Sequence, residues 1–123
     1  EATLRIQVKA ASTLGELADK GIELKIANLA LHGESYGTAL GTVDLGTSLT
    51  SDRSVQVAII HDPDTPKIEW YVDGVLKGTQ STAAKMPTGT STTAFIVASA
   101  ANGATGGVNN IGYLLSPLVW QKR

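Results

Sequence analysis

The sequence has 123 residues and a mass of 12.8 kDa, with ten basic and eleven acidic residues, a net charge of −1 and no cysteine. That length suits one domain and leaves no room for two independent cores. The charge balance makes neither a nucleic-acid polyanion nor an acidic membrane an evident partner, and the absence of cysteine excludes a disulfide framework and a thiolate metal site.

No apolar run approaches the roughly 20 residues of a membrane-spanning helix. Hydrophobic residues make up 42% and charged residues only 17%, so the polar surface falls to 14 Thr, 9 Ser and 13 Gly, a mixture that favours strands and turns. The chain begins with Glu1 rather than Met. The expectation is a single domain over residues 1–123 that is an excised or processed part of a longer chain.

In residues 3–10, Leu4, Ile6, Val8 and Ala10 alternate with Arg5, Gln7 and Lys9, which predicts a strand with one wet face. Residues 12–20 are confined by Gly15 and Gly21 and read as a loop. From Gly21, Ile22, Leu24 and Ile26 alternate with Glu23 and Lys25 as a second half-buried strand. Residues 29–31 are short and apolar, and residues 33–37, Gly-Glu-Ser-Tyr-Gly, read as a turn. A third strand is expected through residues 38–45, with Gly41 marking a bulge or tight bend.

Residues 55–60 alternate and stop at residues 61–66, His-Asp-Pro-Asp-Thr-Pro, where two prolines and two aspartates demand a turn. Residues 67–72 resume the ladder. Asp73-Gly74 marks a two-residue hairpin whose turn needs positive φ, with residues 75–79 as its return arm. Trp70 and Val72 then point to the core, and Glu69, Tyr71 and Asp73 to the presented face. A polar stretch over 80–92 precedes a strand at 94–97. A glycine-rich loop spans 102–107, and extended structure around 111–120 closes the chain. Some eight short strands with no convincing helix predict an all-β, antiparallel two-sheet β-sandwich.

Over residues 55–120 the order of these signals resembles the concanavalin A-like, laminin-G-like jelly-roll superfamily. The resemblance rests on an apolar strand ending in a polar turn (55–62), Tyr71-Val72-Asp73-Gly74 with its return arm, Pro87, Phe95-Ile96-Val97, and the stretch from Tyr113 to Trp120. It implies a lectin-like jelly roll. The Thr-, Gly- and Ser-rich, weakly charged texture is similar to that of bacteriophage virion proteins. Family domains usually run longer, which implies either that a strand or two is missing or that an edge is completed by a neighbouring subunit.

Candidate chemistry is sparse. His61, Asp62 and Asp64 crowd together, but two carboxylates are too few for calcium, and a turn before Pro63 explains them. Glu69 and Asp73 share a face, yet strand rise sets them roughly 13 Å apart, beyond either glycosidase geometry. No nucleophile elbow, phosphate loop or zinc helix occurs. Neither catalytic residues nor a metal or cofactor site is assigned, and the chain reads as a non-enzyme. Tyr36 with Asn102, Asn109 and Asn110 would form a glycan site, because a sugar offers an apolar face ringed by hydroxyls. Trp70 and Trp120 read as packing residues.

The expected function is a structural protein of the virion, as capsid decoration or tail component, making protein–protein contacts with other virion proteins or with itself as a homo-oligomer such as a trimer. Exposed strand edges are expected at residues 3–10 and 114–120. The alternative is an extracellular carbohydrate-binding module for a cell-surface glycan.

Overall fold

A computed structural model describes residues 3–10, 16–50, 54–62, 64–88 and, for its backbone, 95–101. The described chain is all-β, with eight strands in two antiparallel sheets and one 3-10 turn at Ala83–Lys85. The strands are β1 (Thr3–Lys9), β2 (Gly21–Ala27), β3 (Ala30–Tyr36), β4 (Leu40–Ser48), β5 (Val57–Asp62), β6 (Lys67–Val72), β7 (Val75–Gln80) and β8 (Phe95–Ala101). The larger sheet has the order β4-β3-β2-β1-β8 and the smaller β5-β6-β7. The loop expected over 12–20 is in place at its described residues, 16–20, whereas of the turn expected at 61–66 His61 and Asp62 still belong to β5 and the turn is made by residues 64–66.

The hairpin of β6 and β7 forms as its sequence demands. Asp73 and Gly74 take φ of +51° and +80°, the paired left-handed values that match a turn to the twist of its strands. Trp70, Ile68 and Val72 are fully buried along one side of β6, while Glu69 and Tyr71 lie on the other.

Three expectations need correction. Residues 33–37 do not form a turn: β3 runs straight through Gly33, Glu34 and Ser35, and the reversal comes earlier, at Asn28 and Leu29 with φ of +48° and +70°. Gly33 is a strand residue because the Trp70 indole fills the space where a side chain would stand. Gly41 pairs regularly with Ser35, and the register shift lies instead at the far end of the β3–β4 pair, between Ala30 and His32. There Gly46, at φ +57°, donates its N–H to Asp44 Oδ1 at 2.8 Å. Finally, β1 is not an edge: it sits between β2 and β8 with seven paired residues on each side. Residues 114–120 lie outside the described residues.

Side chains of both sheets form one buried cluster. Leu24, Leu31 and Leu45 from the larger sheet meet Ile68, Trp70 and Val72 of β6, with Met86 filling in beside the 3-10 turn. Gly78 on β7 lies against Val43 and Leu45 of β4, a closeness that only the lack of a side chain permits.

Candidate functional site

The β2–β3 hairpin sets the register that organises one face of the larger sheet. Gln7, Glu23, Glu34 and Thr42 stand in one row across β1 to β4, and Arg5, Lys25, His32 and Asp44 in the next. Alternation puts both rows on the side away from Leu24 and Leu31. This is the face expected to be wet. Instead Arg5, Gln7, Lys9, Glu23 and Glu34 are all buried.

Their burial is tolerable because the charges answer one another. Arg5 Nη1 donates to Glu23 Oε1 at 2.5 Å and lies 3.5 Å from Glu34 Oε2. Lys25 Nζ is 3.3 Å from Glu34 Oε1, and Gln7 Nε2 donates to Glu23 Oε2 at 2.5 Å. Thr42 Oγ1 donates to Glu34 Oε1 at 3.4 Å, and the exposed Glu16 reaches Arg5 from the rim at 3.5 Å. Each of these buried side chains thus finds an opposite charge or a hydrogen-bond partner, as burial requires.

The two glutamates are nonetheless unequal. Desolvation, then the hydrogen bond with Glu34, pushes the Glu23 carboxyl up to about 7. Glu34 sits below its ordinary value: burial opposes that shift, and the contacts with Glu23 and Lys25 outweigh it. Adjacent carboxylates cannot both ionise freely, so the proton stays with the more buried one. This network was not foreseen. Its signal lay in the turn-prone Asn28, because placing the reversal there sets Glu23 opposite Glu34.

Of the expected glycan residues, Tyr36 ends β3 on this charged face, half-buried, two residues beyond Glu34 and paired with Gly21 and Leu40. Asn102, Asn109 and Asn110 lie outside the described residues, as does Trp120. At the 61–66 turn, Asp62 Oδ1 accepts the N–H groups of Asp64 at 3.0 Å and Thr65 at 3.2 Å, and these backbone bonds, Thr65 first, hold its carboxyl below the usual range. The turn thus consumes the carboxylate. Among the described residues no group of three His, Asp or Glu side chains could hold a metal ion. Glu69 is engaged by Lys67 Nζ at 3.0 Å and the Tyr71 hydroxyl at 3.2 Å, while Asp73 Oδ1 accepts Gln56 N–H at 3.0 Å.

A second surface is apolar. On the smaller sheet Ile59, Ile60, Val75 and Leu76 are 38%, 50%, 56% and 45% exposed. Ile60 and Leu76 share its outer face with Ala58 and Tyr71. Among the described residues no helix is long and apolar enough to cross a membrane. No family model matches the sequence, and no curated protein does either.

Proposed function

We propose that this chain is a non-enzymatic structural part, a capsid decoration or tail component of a virion, built as a lectin-like jelly-roll sandwich and held to neighbouring coat proteins or to copies of itself by apolar strand surfaces. One observation carries the reading: four large aliphatic side chains stand in solvent on the two outer strands of the three-stranded sheet. Single exposed hydrophobics are ordinary, but here Ile60 and Leu76 on the outer face, with Ile59 and Val75 at the margins of the inner one, leave both outer strands with apolar side chains in solvent, as a contact surface would. The weakly charged composition agrees with a surface that meets protein. Sedimentation of the full chain over a concentration series tests this. Reversible self-association supports it, and a monomer at every concentration with no affinity for any particle counts against it.

The carbohydrate-binding alternative keeps one observation in its favour: Tyr36 flanks the charged face, giving an aromatic surface beside carboxylates and cations. A glycan array decides it. Saturable binding that Tyr36→Ala removes would transfer the function to that face.

A further inference from the structure

The strand edges of the two sheets are not protected alike. At one edge of the larger sheet, β4 is interrupted by a register shift, carries Gly46 at positive φ and places the charged Asp44 in solvent. In the smaller sheet β7 is also shifted in register, between Trp70 and Tyr71, and carries Lys77. Bulges and charges of this kind discourage a further strand from pairing. The other edge of that sheet among the described residues, β5, has neither a bulge nor a lysine: all six of its residues pair in unbroken register with β6, its one acidic residue, Asp62, stands at the end of the strand with its carboxylate taken up by the turn, and Val57-Ala58-Ile59-Ile60 is wholly apolar.

Which of its backbone groups face away from β6 follows from two independent observations. Asp73 donates its N–H to the Gln56 carbonyl at 2.8 Å, so Gln56 faces β6, and alternation turns Ala58, Ile60 and Asp62 the same way. The two-residue turn at Asp73-Gly74 makes Val72 and Val75 the closing hydrogen-bonded pair, which aims Tyr71 back at Ala58. The N–H and C=O groups of Val57, Ile59 and His61 therefore point outward, away from β6.

We infer that β5 is a self-pairing seam, joining a second copy of this chain antiparallel across a two-fold axis at Ile59. The register is selected by the strand itself. Pairing Ile59 with its own copy sets Val57 opposite His61 on either side, so all three outward-facing residues find donors and acceptors. It also sets Ala58 against Ile60, apolar to apolar. Sliding by two residues, the smallest step that keeps the faces matched, brings Val57 opposite Pro63, which has no N–H to give, in one direction, and in the other sets His61 opposite Val55, which precedes the strand. The two three-stranded sheets become one of six strands, with the Ile60 and Leu76 surfaces continuous across it. This inference rests on the reading of the chain as a self-associating part, and gives that association a two-fold seam rather than a threefold one. A single strand pair buries less than the roughly 1,200 Å² of a standard interface, so the contact is weak alone and gains strength by repetition in an assembly.

The test uses the full chain and two substitutions. Because the Ile59 N–H makes no bond to β6, Ile59→Pro leaves the internal ladder intact, and the expected result is a variant with wild-type circular dichroism that no longer associates in sedimentation. Ile59→Cys places the chain's one thiol on the axis, where hydrogen-bonded partners about 5.5 Å apart lie within disulfide reach, so mild oxidation gives a covalent dimer. Val75→Cys, exposed on β7, gives none at the same concentration. A folded Ile59→Pro variant that associates like wild type overturns the seam and leaves the structural reading standing. A wild type that stays monomeric, with Ile59→Cys oxidising no faster than Val75→Cys, overturns both. Should Ile59→Pro fail to fold, the cross-linking comparison decides alone.

Discussion

Gly33 lies against the indole of Trp70, so close that a Cβ on residue 33 would come well inside contact distance of the ring. The same part of the indole is anchored by a hydrogen bond, Nε1 donating to the Glu23 carbonyl at 3.3 Å. One residue of the smaller sheet is thus held by two adjacent strands of the larger, β2 through a hydrogen bond and β3 through a missing side chain.

Gly33→Ala should therefore be costly although it adds one methyl. The ring cannot yield without leaving its bond to Glu23, and overpacking of this kind typically costs about 1–3 kcal/mol. Denaturant unfolding followed by tryptophan fluorescence measures it. A midpoint equal to wild type would show that the indole does not rest on β3.

Gly74→Val isolates backbone strain from packing. Nothing lies within 4 Å of a side chain at that position, so the whole effect comes from φ of +80°. A β-branched residue there should cost on the order of 1 kcal/mol or more. An unchanged melting temperature would place the turn elsewhere.

The buried network makes stability depend on pH in a stated direction. Glu23 has its native pKa raised from 4.5 to about 7, so between those values the folded chain binds a proton that the unfolded chain has lost. Stability from this group is complete below pH 4.5 and falls as pH rises through 7. Glu34, shifted down, acts only at lower pH, where its contribution is lost on acidification. His61, lowered by desolvation, works against Glu23 near pH 6, so the informative quantity is wild type compared with Glu23→Gln. The wild type should lose more stability than the variant between pH 5 and pH 8. Parallel profiles would contradict the assignment.

Arg5→Met removes the guanidinium that touches both glutamates. Leaving buried carboxylates without their cation typically costs about 3–5 kcal/mol, far more than the loss of an exposed ion pair. Urea titration reads the difference, and a loss below about 1 kcal/mol would mean that the network is effectively solvated.

What could be read from the sequence follows from how local each determinant is. The β6–β7 hairpin was legible because Asp73-Gly74 and the alternation of Ile68, Trp70 and Val72 are local signals with one reading. The β2–β3 hairpin was not, since Gly33 and Ser35 look like turn residues and only a distant tryptophan explains the glycine. The charged network escaped for a related reason: Arg5, Gln7 and Lys9 alternate as solvent-facing residues do, and their burial depends on partners 16 or more positions away, Glu23 and Glu34. The edge at β5 was likewise invisible, because an apolar strand reads the same in the middle of a sheet as at its margin. Of the proposed glycan residues, Tyr36 alone falls within the described chain.

The self-pairing seam is tested most directly by amide hydrogen exchange of the full chain, read residue by residue at low and at high protein concentration. The outward N–H groups of Val57, Ile59 and His61 should exchange fast when dilute and slow down together as concentration rises. Those of Ala58 and Ile60, bonded to β6, should be protected at both. Fast exchange at Ile59 and His61 under every condition, with self-association demonstrated in the same sample, would contradict the seam.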